Sequence, residues 1–215
     1  MKAVLFDLDG TLLDTLDDLA DAVNAALTVH GYPVRSRAEV RRFVGNGVRR
    51  LMELAVPEGI STADFEACFE FMRSYYAAHS AEKTAPYAGV LELLAELKKL
   101  GVPMALVSNK PDGPVAELAE QYFPGEFEVT VGDSTVRARK PAPDMPLYAL
   151  EKLGIGKENA VYIGDSEVDI QTARNAGLPV VSVSWGFRDR EELEKLDPEY
   201  LVDTPEELLH LLKQI

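Results

Sequence analysis

From Pro86 to its end the chain alternates short apolar runs with segments of helical period, and that alternation leaves few folds open. Helical spacing over residues 90–100 closes at Gly101, and a β-forming run at 104–107 passes into Ser108-Asn109-Lys110. A helix at about 114–121, a strand at 128–131, a loop holding Lys140-Pro141 and a helix at about 145–153 come next. Strand 161–163 runs into Gly164-Asp165, and helix 166–176 and strands 180–183 and 200–202 follow. Thr204-Pro205-Glu206-Glu207 opens the last helix, a capping pattern with proline at the first helical position. This order predicts an α/β fold: a doubly wound, mostly parallel sheet with helices on both faces. Such sheets bind ligands beyond the carboxyl ends of their strands, where strand order switches.

The first strand of that sheet is Val4-Leu5-Phe6, which stops at Asp7-Leu8-Asp9-Gly10-Thr11. Alternate side chains of an extended chain share a face, so Asp7 and Asp9 converge on one point where Gly10 lets the backbone turn. Two carboxylates that close repel unless a cation lies between them or one holds a proton. Taken alone, the stretch also reads as a strand followed by an Asp-rich turn. The other strand ends weigh against that plainer reading. Ser108 and Asn109 follow one strand, Asp165 another, and Lys140 lies in the loop after a third, all at carboxyl ends.

Between Thr15 and Glu82 the pattern is helical throughout, with pieces at about 36–44, 46–55 and 61–78 after a first helix. Thr15 and Asp18 have capping-box spacing for that first helix, whose apolar positions recur until Gly31 and Pro33. An all-helical block directly behind the first strand reads as a separate subdomain able to move. The expected division is residues 1–14 with 83–215 as a Rossmann-like core, and 15–82 as a helical cap.

Composition excludes several classes of function. A net charge of −14 among 215 residues argues against a binder of nucleic-acid backbones, which concentrates Lys and Arg. Cys68, the one cysteine, has no partner for an internal disulfide, which fits a reducing compartment. Only four apolar residues precede Asp7 beside Lys2, too few for a signal peptide or anchor, and no later apolar run has membrane-spanning length. The expectation is a cytoplasmic protein without nucleic-acid or membrane partners, monomer or dimer being unreadable.

Three acids at two strand ends make a hard, oxygen-rich site, which suits Mg²⁺ with waters and a phosphate oxygen. His30, His79 and His210 stand apart from any Cys or His at ligand spacing, so zinc is not expected. With the metal screening its charge, Asp7 could attack phosphorus in line, while Asp9 could protonate the leaving oxygen and later deprotonate a water. Ser108 and the amide of Asn109 could hold phosphoryl oxygens, and Lys140 supplies positive charge. Each of these residues also has a plainer use: Ser-Asn is turn material, Lys-Pro marks an extended loop, and Ser166 with Asp169 can cap a helix.

Asp7-Leu8-Asp9-Gly10-Thr11, Ser108-Asn109-Lys110, Lys140-Pro141 and Gly164-Asp165-Ser166-Glu167-Val168-Asp169 together resemble the four ordered motifs of the haloacid dehalogenase superfamily of phosphotransferases. The helical insert resembles that family's small mobile cap. Phe43-Val44-Gly45-Asn46-Gly47-Val48 and Ser108-Asn109-Lys110-Pro111 are similar to the phosphoglycolate phosphatase branch. The resemblance implies Asp7 as a nucleophile forming an aspartyl-phosphate and as a Mg²⁺ ligand. It implies Asp9 as general acid/base with its backbone carbonyl on the metal, Thr11, Ser108, Asn109 and Lys140 around the phosphate, Asp165 as a direct metal ligand and Asp169 in support. Asp9 argues for phosphoryl chemistry, since dehalogenation protonates no leaving oxygen. The insert holds no lysine for the Schiff base of the phosphonate-cleaving members.

The Gly45-Asn46-Gly47 turn reads first as a tight connection between helices, and more sharply as backbone N–H groups at the start of the helix carrying Arg49. In that second reading Gly47 and Arg49 meet a carboxylate on the substrate. The expected activity is therefore Mg²⁺-dependent hydrolysis of a small phosphorylated metabolite, 2-phosphoglycolate first. Sugar phosphates or pyrophosphate handled by another branch, as phosphatase or phosphomutase, and a module that senses phosphorylated ligands without turnover are the alternatives.

Overall fold

The computed structural model describes residues 2–215, which fall into two compact units: residues 2–13 with Pro86–Ile215, and Asp14–Ala85. The chain begins with β1 (Ala3–Phe6) and crosses into the second unit at β2 (Leu13–Asp14). Four helices follow: α1 (Leu16–Val29), α2 (Arg37–Phe43), α3 (Gly47–Ala55) and α4 (Thr62–His79). It returns at β3 (Ala85–Pro86), which pairs with β2 in a two-stranded ribbon. The first unit then continues with α5 (Val90–Lys99), β4 (Met104–Pro111), α6 (Asp112–Tyr122), β5 (Val129–Asp133) and α7 (Asp144–Leu153). After a 3₁₀ turn at Lys157–Asn159 come β6 (Ala160–Gly164), α8 (Glu167–Ala176), β7 (Val180–Val183), α9 (Arg190–Glu194), β8 (Tyr200–Val202) and α10 (Pro205–Leu212).

The first unit is the expected α/β fold, built on a six-stranded sheet of order β5-β4-β1-β6-β7-β8 in which every pairing is parallel. Strand β1 is central, with Val4 paired to Met104 on one side and to Val161 on the other. The chain builds β4 and β5 outward from one edge of β1, then returns to build β6, β7 and β8 from the other. The order therefore reverses at β1, and the crevice beyond its carboxyl end is the switch point where α/β sheets bind ligands. The period-2 pattern of β1 divides the core. Val4 and Phe6 pack with Leu106, Val161 and Ile163 under α5, α6 and α10, while Ala3 and Leu5 pack with Ala105, Val107 and Tyr162 under α7 and α8. Burying each such Leu, Val or Phe contributes about 1.5–3 kcal/mol, and both faces are dry, so the carboxyl edge of the sheet is a firm platform.

The second unit is helical. Leu16, Leu19, Val23, Ala26 and Leu27 bury one face of α1. Ser36 and Glu39 form a capping box at the start of α2, and Ser61 caps α4 by accepting from the Asp64 N–H at 3.1 Å. The capping box expected from Thr15 and Asp18 does not form. Thr15 makes no side-chain cap bond, and the buried Asp18 carboxylate accepts instead from the Lys83 N–H, the Thr84 N–H at 2.9 Å and the Thr84 Oγ at 2.7 Å. Three donors on a returning segment outcompete the one amide a cap would satisfy. Among the described residues no helix is long and apolar enough to cross a membrane.

Candidate active site

The parallel sheet carries the expected core residues to one edge. Asp7 extends β1, its N–H still paired to the Ile163 carbonyl at 2.9 Å, and its side chain is buried. Leu8 through Leu13 then form a tight loop, with the Leu12 and Leu13 N–H groups both donating to the Leu8 carbonyl at 3.0 Å. Gly10 takes φ +91°, a conformation that a side chain would strain, and a Cβ there would collide with Asp165. The turn thus lets the loop lie against the end of β6.

Lys140 binds these elements together. Its buried ammonium donates to Asp7 Oδ1 at 2.7 Å and to Asp169 Oδ1 at 2.8 Å. Burial opposes the charge on Lys140, but the Asp169 and Asp7 carboxylates more than offset it and hold its pKa well above the ordinary lysine value. The second oxygen of Asp169 accepts from Ser166 Oγ at 2.6 Å and from the Ser166 N–H at 3.2 Å, closing a capping box on α8. Asp169 therefore caps its helix and holds Lys140 at once.

Asp165 follows β6 and is held from two sides, by Thr11 Oγ at 3.4 Å to Oδ1 and by the Phe187 N–H at 2.6 Å to Oδ2. Ser108 is buried inside β4, which runs four residues beyond the expected strand end. Its Oγ lies 3.4 Å from Asp9 Oδ2 and accepts from the Lys110 N–H at 3.1 Å. Asn109 donates through Nδ2 to the Lys140 carbonyl at 3.1 Å, tying β4 to the Lys140 loop. Asp7, Asp9, Thr11, Ser108, Asn109, Lys140, Asp165 and Asp169 thus form one connected cluster.

Gly47 and Arg49 belong to the helical unit. Gly47 opens α3 with φ +79°. Arg49 pairs with Glu66 through both terminal nitrogens, approaches Glu53 at 3.7 Å, and lies over the rings of Phe65 and Phe69 at 5.1 and 5.2 Å. These partners come from α3 and α4, so the guanidinium is engaged within its own unit.

Three groups received no role from sequence reasoning. Lys110 stands 3.3 Å from Asp9 Oδ1. The segment after β7 crosses the site: Trp185 Nε1 donates to the Thr11 carbonyl at 2.9 Å, Gly186 packs where a Cβ would strike the Gly10 carbonyl and Asp165, and Phe187 holds Asp165. Arg188 then pairs with Glu167 at 2.7 and 2.8 Å. The signal for this segment was the rule already applied to the other strands, that residues just past a parallel strand face the ligand crevice, together with a glycine there.

The electrostatics favour a divalent cation. One carboxylate oxygen each from Asp7, Asp165 and Asp169 lie within 4.8 Å of one another. Burial, and then the charge of Asp169, pushes the Asp7 carboxyl well above the usual carboxylate range and that of Asp165 up to about 7. Three buried acids surround the Lys140 ammonium, and every donor is a hard oxygen, so the set fits a metal such as those bound by carboxylates.

Comparison with known proteins agrees with this geometry. A sequence model of the family described as haloacid dehalogenase-like hydrolase matches residues 4–183. The phosphoglycolate phosphatase of Pseudomonas putida is 35% identical over 215 residues, covering 97% of this chain and 78% of that protein. A crystal structure from Lactobacillus delbrueckii subsp. bulgaricus superposes with a TM-score of 0.93 at 37% identity, covering 98% of each chain. That of a predicted phosphoglycolate phosphatase from Haemophilus somnus gives 0.89 at 28% identity, covering 99% of this chain and 98% of the other.

Proposed function

Because the chain belongs to the haloacid dehalogenase-like hydrolases, we propose that it is a Mg²⁺-dependent phosphomonoesterase of small phosphorylated metabolites, with 2-phosphoglycolate as its first candidate substrate. The observation that carries this reading is the buried Asp7–Lys140–Asp169 chain with Asp165 beside it. The names of its relatives support the phosphatase class.

The reaction follows from the roles available to these residues. The Asp7 oxygen not held by Lys140 attacks phosphorus, forming an O–P bond as the bond to the leaving oxygen breaks. Asp9 gives its proton to that oxygen, and the alcohol departs. Asp9 then takes a proton from a water that attacks the aspartyl-phosphate, releasing inorganic phosphate and restoring Asp7. Ser108, the Asn109 amide and Lys140 hold the phosphoryl oxygens, while Lys140 also orients Asp7. Asp7, Asp165 and the Asp9 backbone carbonyl would hold Mg²⁺, with Asp169 fixing their neighbour Lys140. When bound, Mg²⁺ supplies the positive charge that lets an anionic site accept a phosphate dianion.

The unit Asp14–Ala85 is proposed to select the leaving group, with the Gly47 turn meeting a second anion. Arg49 could join it only by giving up Glu66.

Phosphate release from a panel of metabolites and p-nitrophenyl phosphate, with Mg²⁺ and with EDTA, tests the proposal. Turnover should vanish in EDTA and return with Mg²⁺, and 2-phosphoglycolate should have the highest kcat/KM. Full activity in chelator with bound metal excluded by elemental analysis would end the Mg²⁺ assignment, and a preference for sugar phosphates would move the chain to another branch.

A further inference from the structure

Lys110 is a buried lysine whose ammonium lies 3.3 Å from Asp9 Oδ1. Its position is built. Strand β4 continues past Val107 through Pro111 with a register shift against β5, and that extension carries Lys110 over the loop after β1. The extension is locked from behind. Gly132 of β5 lies so close that a Cβ would sit 2.6 Å from the Lys110 carbonyl oxygen, and its N–H donates to Asp112 Oδ1 at 2.6 Å. Asp112 is itself fixed by Arg137 at 2.7 Å. At the front, the Lys110 N–H donates to Ser108 Oγ at 3.1 Å, and Ser108 Oγ reaches Asp9 Oδ2 at 3.4 Å.

Asp9 is thereby held by both oxygens in different ways. Oδ2 faces a hydroxyl. Oδ1 lies 3.3 Å from the Lys110 ammonium but accepts no hydrogen bond, although it is shielded from solvent. A carboxyl group that must hand over a proton needs a fixed direction and one oxygen not committed to a donor. A contact with the ammonium that lacks hydrogen-bond alignment fixes the direction of the group without occupying that oxygen's lone pair.

We infer that Lys110 is a positioning residue for Asp9, holding the acid so that its proton meets the leaving oxygen. The inference rests on the proposed hydrolysis through Asp7 and Asp9. It assigns Lys110 to the leaving-group side of the reaction, whereas Lys140 acts on the nucleophile side.

The test uses leaving groups that differ in their need for a proton, comparing kcat/KM because it reports events up to departure of the alcohol. Ethyl phosphate and 2-phosphoglycolate release alkoxides that require protonation, whereas p-nitrophenolate leaves without it. Lys110→Met should lower kcat/KM for both alkyl esters roughly 10- to 100-fold, a share of the weight usual for general acid catalysis. The loss on p-nitrophenyl phosphate should be at least tenfold smaller. Lys110→Arg should recover part of the difference, and Lys110→Met added to Asp9→Asn should cost little more than Asp9→Asn alone. Lys110→Gln serves where the methionine variant does not fold.

Equal losses on all three substrates, or full additivity with Asp9→Asn, would overturn the inference and make Lys110 structural. Loss confined to 2-phosphoglycolate would overturn it in another way, showing that Lys110 reads the substrate's carboxylate. If the unmodified protein hydrolysed none of the three with Mg²⁺, the proposed function would fail first, and with it this inference.

Discussion

Asp7 and Asp9 are two residues apart on one strand end, yet their surroundings differ. Asp7 is tied to a buried ammonium in line with Asp169, whereas Asp9 faces Ser108 and Lys110. The pair should separate by mutation accordingly. Asp7→Asn removes the proposed nucleophile and metal ligand, so turnover should be lost, and retention of even a few per cent of kcat would contradict the assignment. Asp9→Asn should keep phosphate binding and slow the reaction roughly 10²–10⁴-fold. Gly186 offers a sharper check on the segment after β7. Gly186→Ala would drive a methyl group into the Gly10 carbonyl and the Asp165 side chain. The expected results are a stability loss of about 1–3 kcal/mol, as for overpacking elsewhere, and a higher Mg²⁺ concentration at half-maximal activity. A thermal melt and a Mg²⁺ titration measure the two. An unchanged Mg²⁺ requirement would show that Asp165 is positioned by something other than this segment.

At the scale of elements, strands and helices were legible because each carries a period in its own residues. Strand β7 was expected at its observed bounds, and the start of α7 was displaced by one residue. What remained unreadable depends on partners distant in sequence. Strand β4 extends to Pro111 because β5 pairs with it again at Asp133, which no local pattern announces. Asp18 has the spacing of a cap, but its partners at Lys83 and Thr84 lie 65 and 66 residues away. The core cluster was legible because the parallel-sheet rule gives every strand end one address, whereas Arg49 had no such rule to locate its partners. Glu66 and the rings of Phe65 and Phe69 claim that guanidinium. Arg49→Ala should therefore lower the thermal midpoint and reduce kcat/KM for 2-phosphoglycolate and p-nitrophenyl phosphate by a similar factor. A loss selective for 2-phosphoglycolate by tenfold or more would instead mean that Arg49 leaves Glu66 to meet the substrate.

For the whole molecule, the acidic balance and the crowded site make stability depend jointly on pH and metal. In the metal-free protein burial and the Asp169 charge raise the Asp165 carboxyl from 3.8 to about 7, and Asp7 is raised in the same sense. The folded chain then holds a proton that the unfolded chain has released between these values. This stabilisation is complete below the unfolded value and is lost as pH rises through the folded one. Each such proton gives a slope of at most about 1.4 kcal/mol per pH unit. A bound divalent cation keeps the carboxylates ionised and removes that slope. The general repulsion of a chain with net charge −14 is present with or without metal, so it largely cancels in the difference between the two conditions. The expected result is a thermal midpoint that falls from pH 5 to pH 7.5 more steeply in EDTA than in saturating Mg²⁺, so that the stabilisation by Mg²⁺ grows with pH across that range. Asp165→Asn should make the EDTA curve shallower, because the amide has no proton to lose and only the Asp7 contribution is left. If the Mg²⁺-dependent shift were the same at both pH values, or survived intact in Asp165→Asn, the ion would be bound away from Asp165, and the assignment of the metal to the carboxyl ends of β1 and β6 would have to be abandoned.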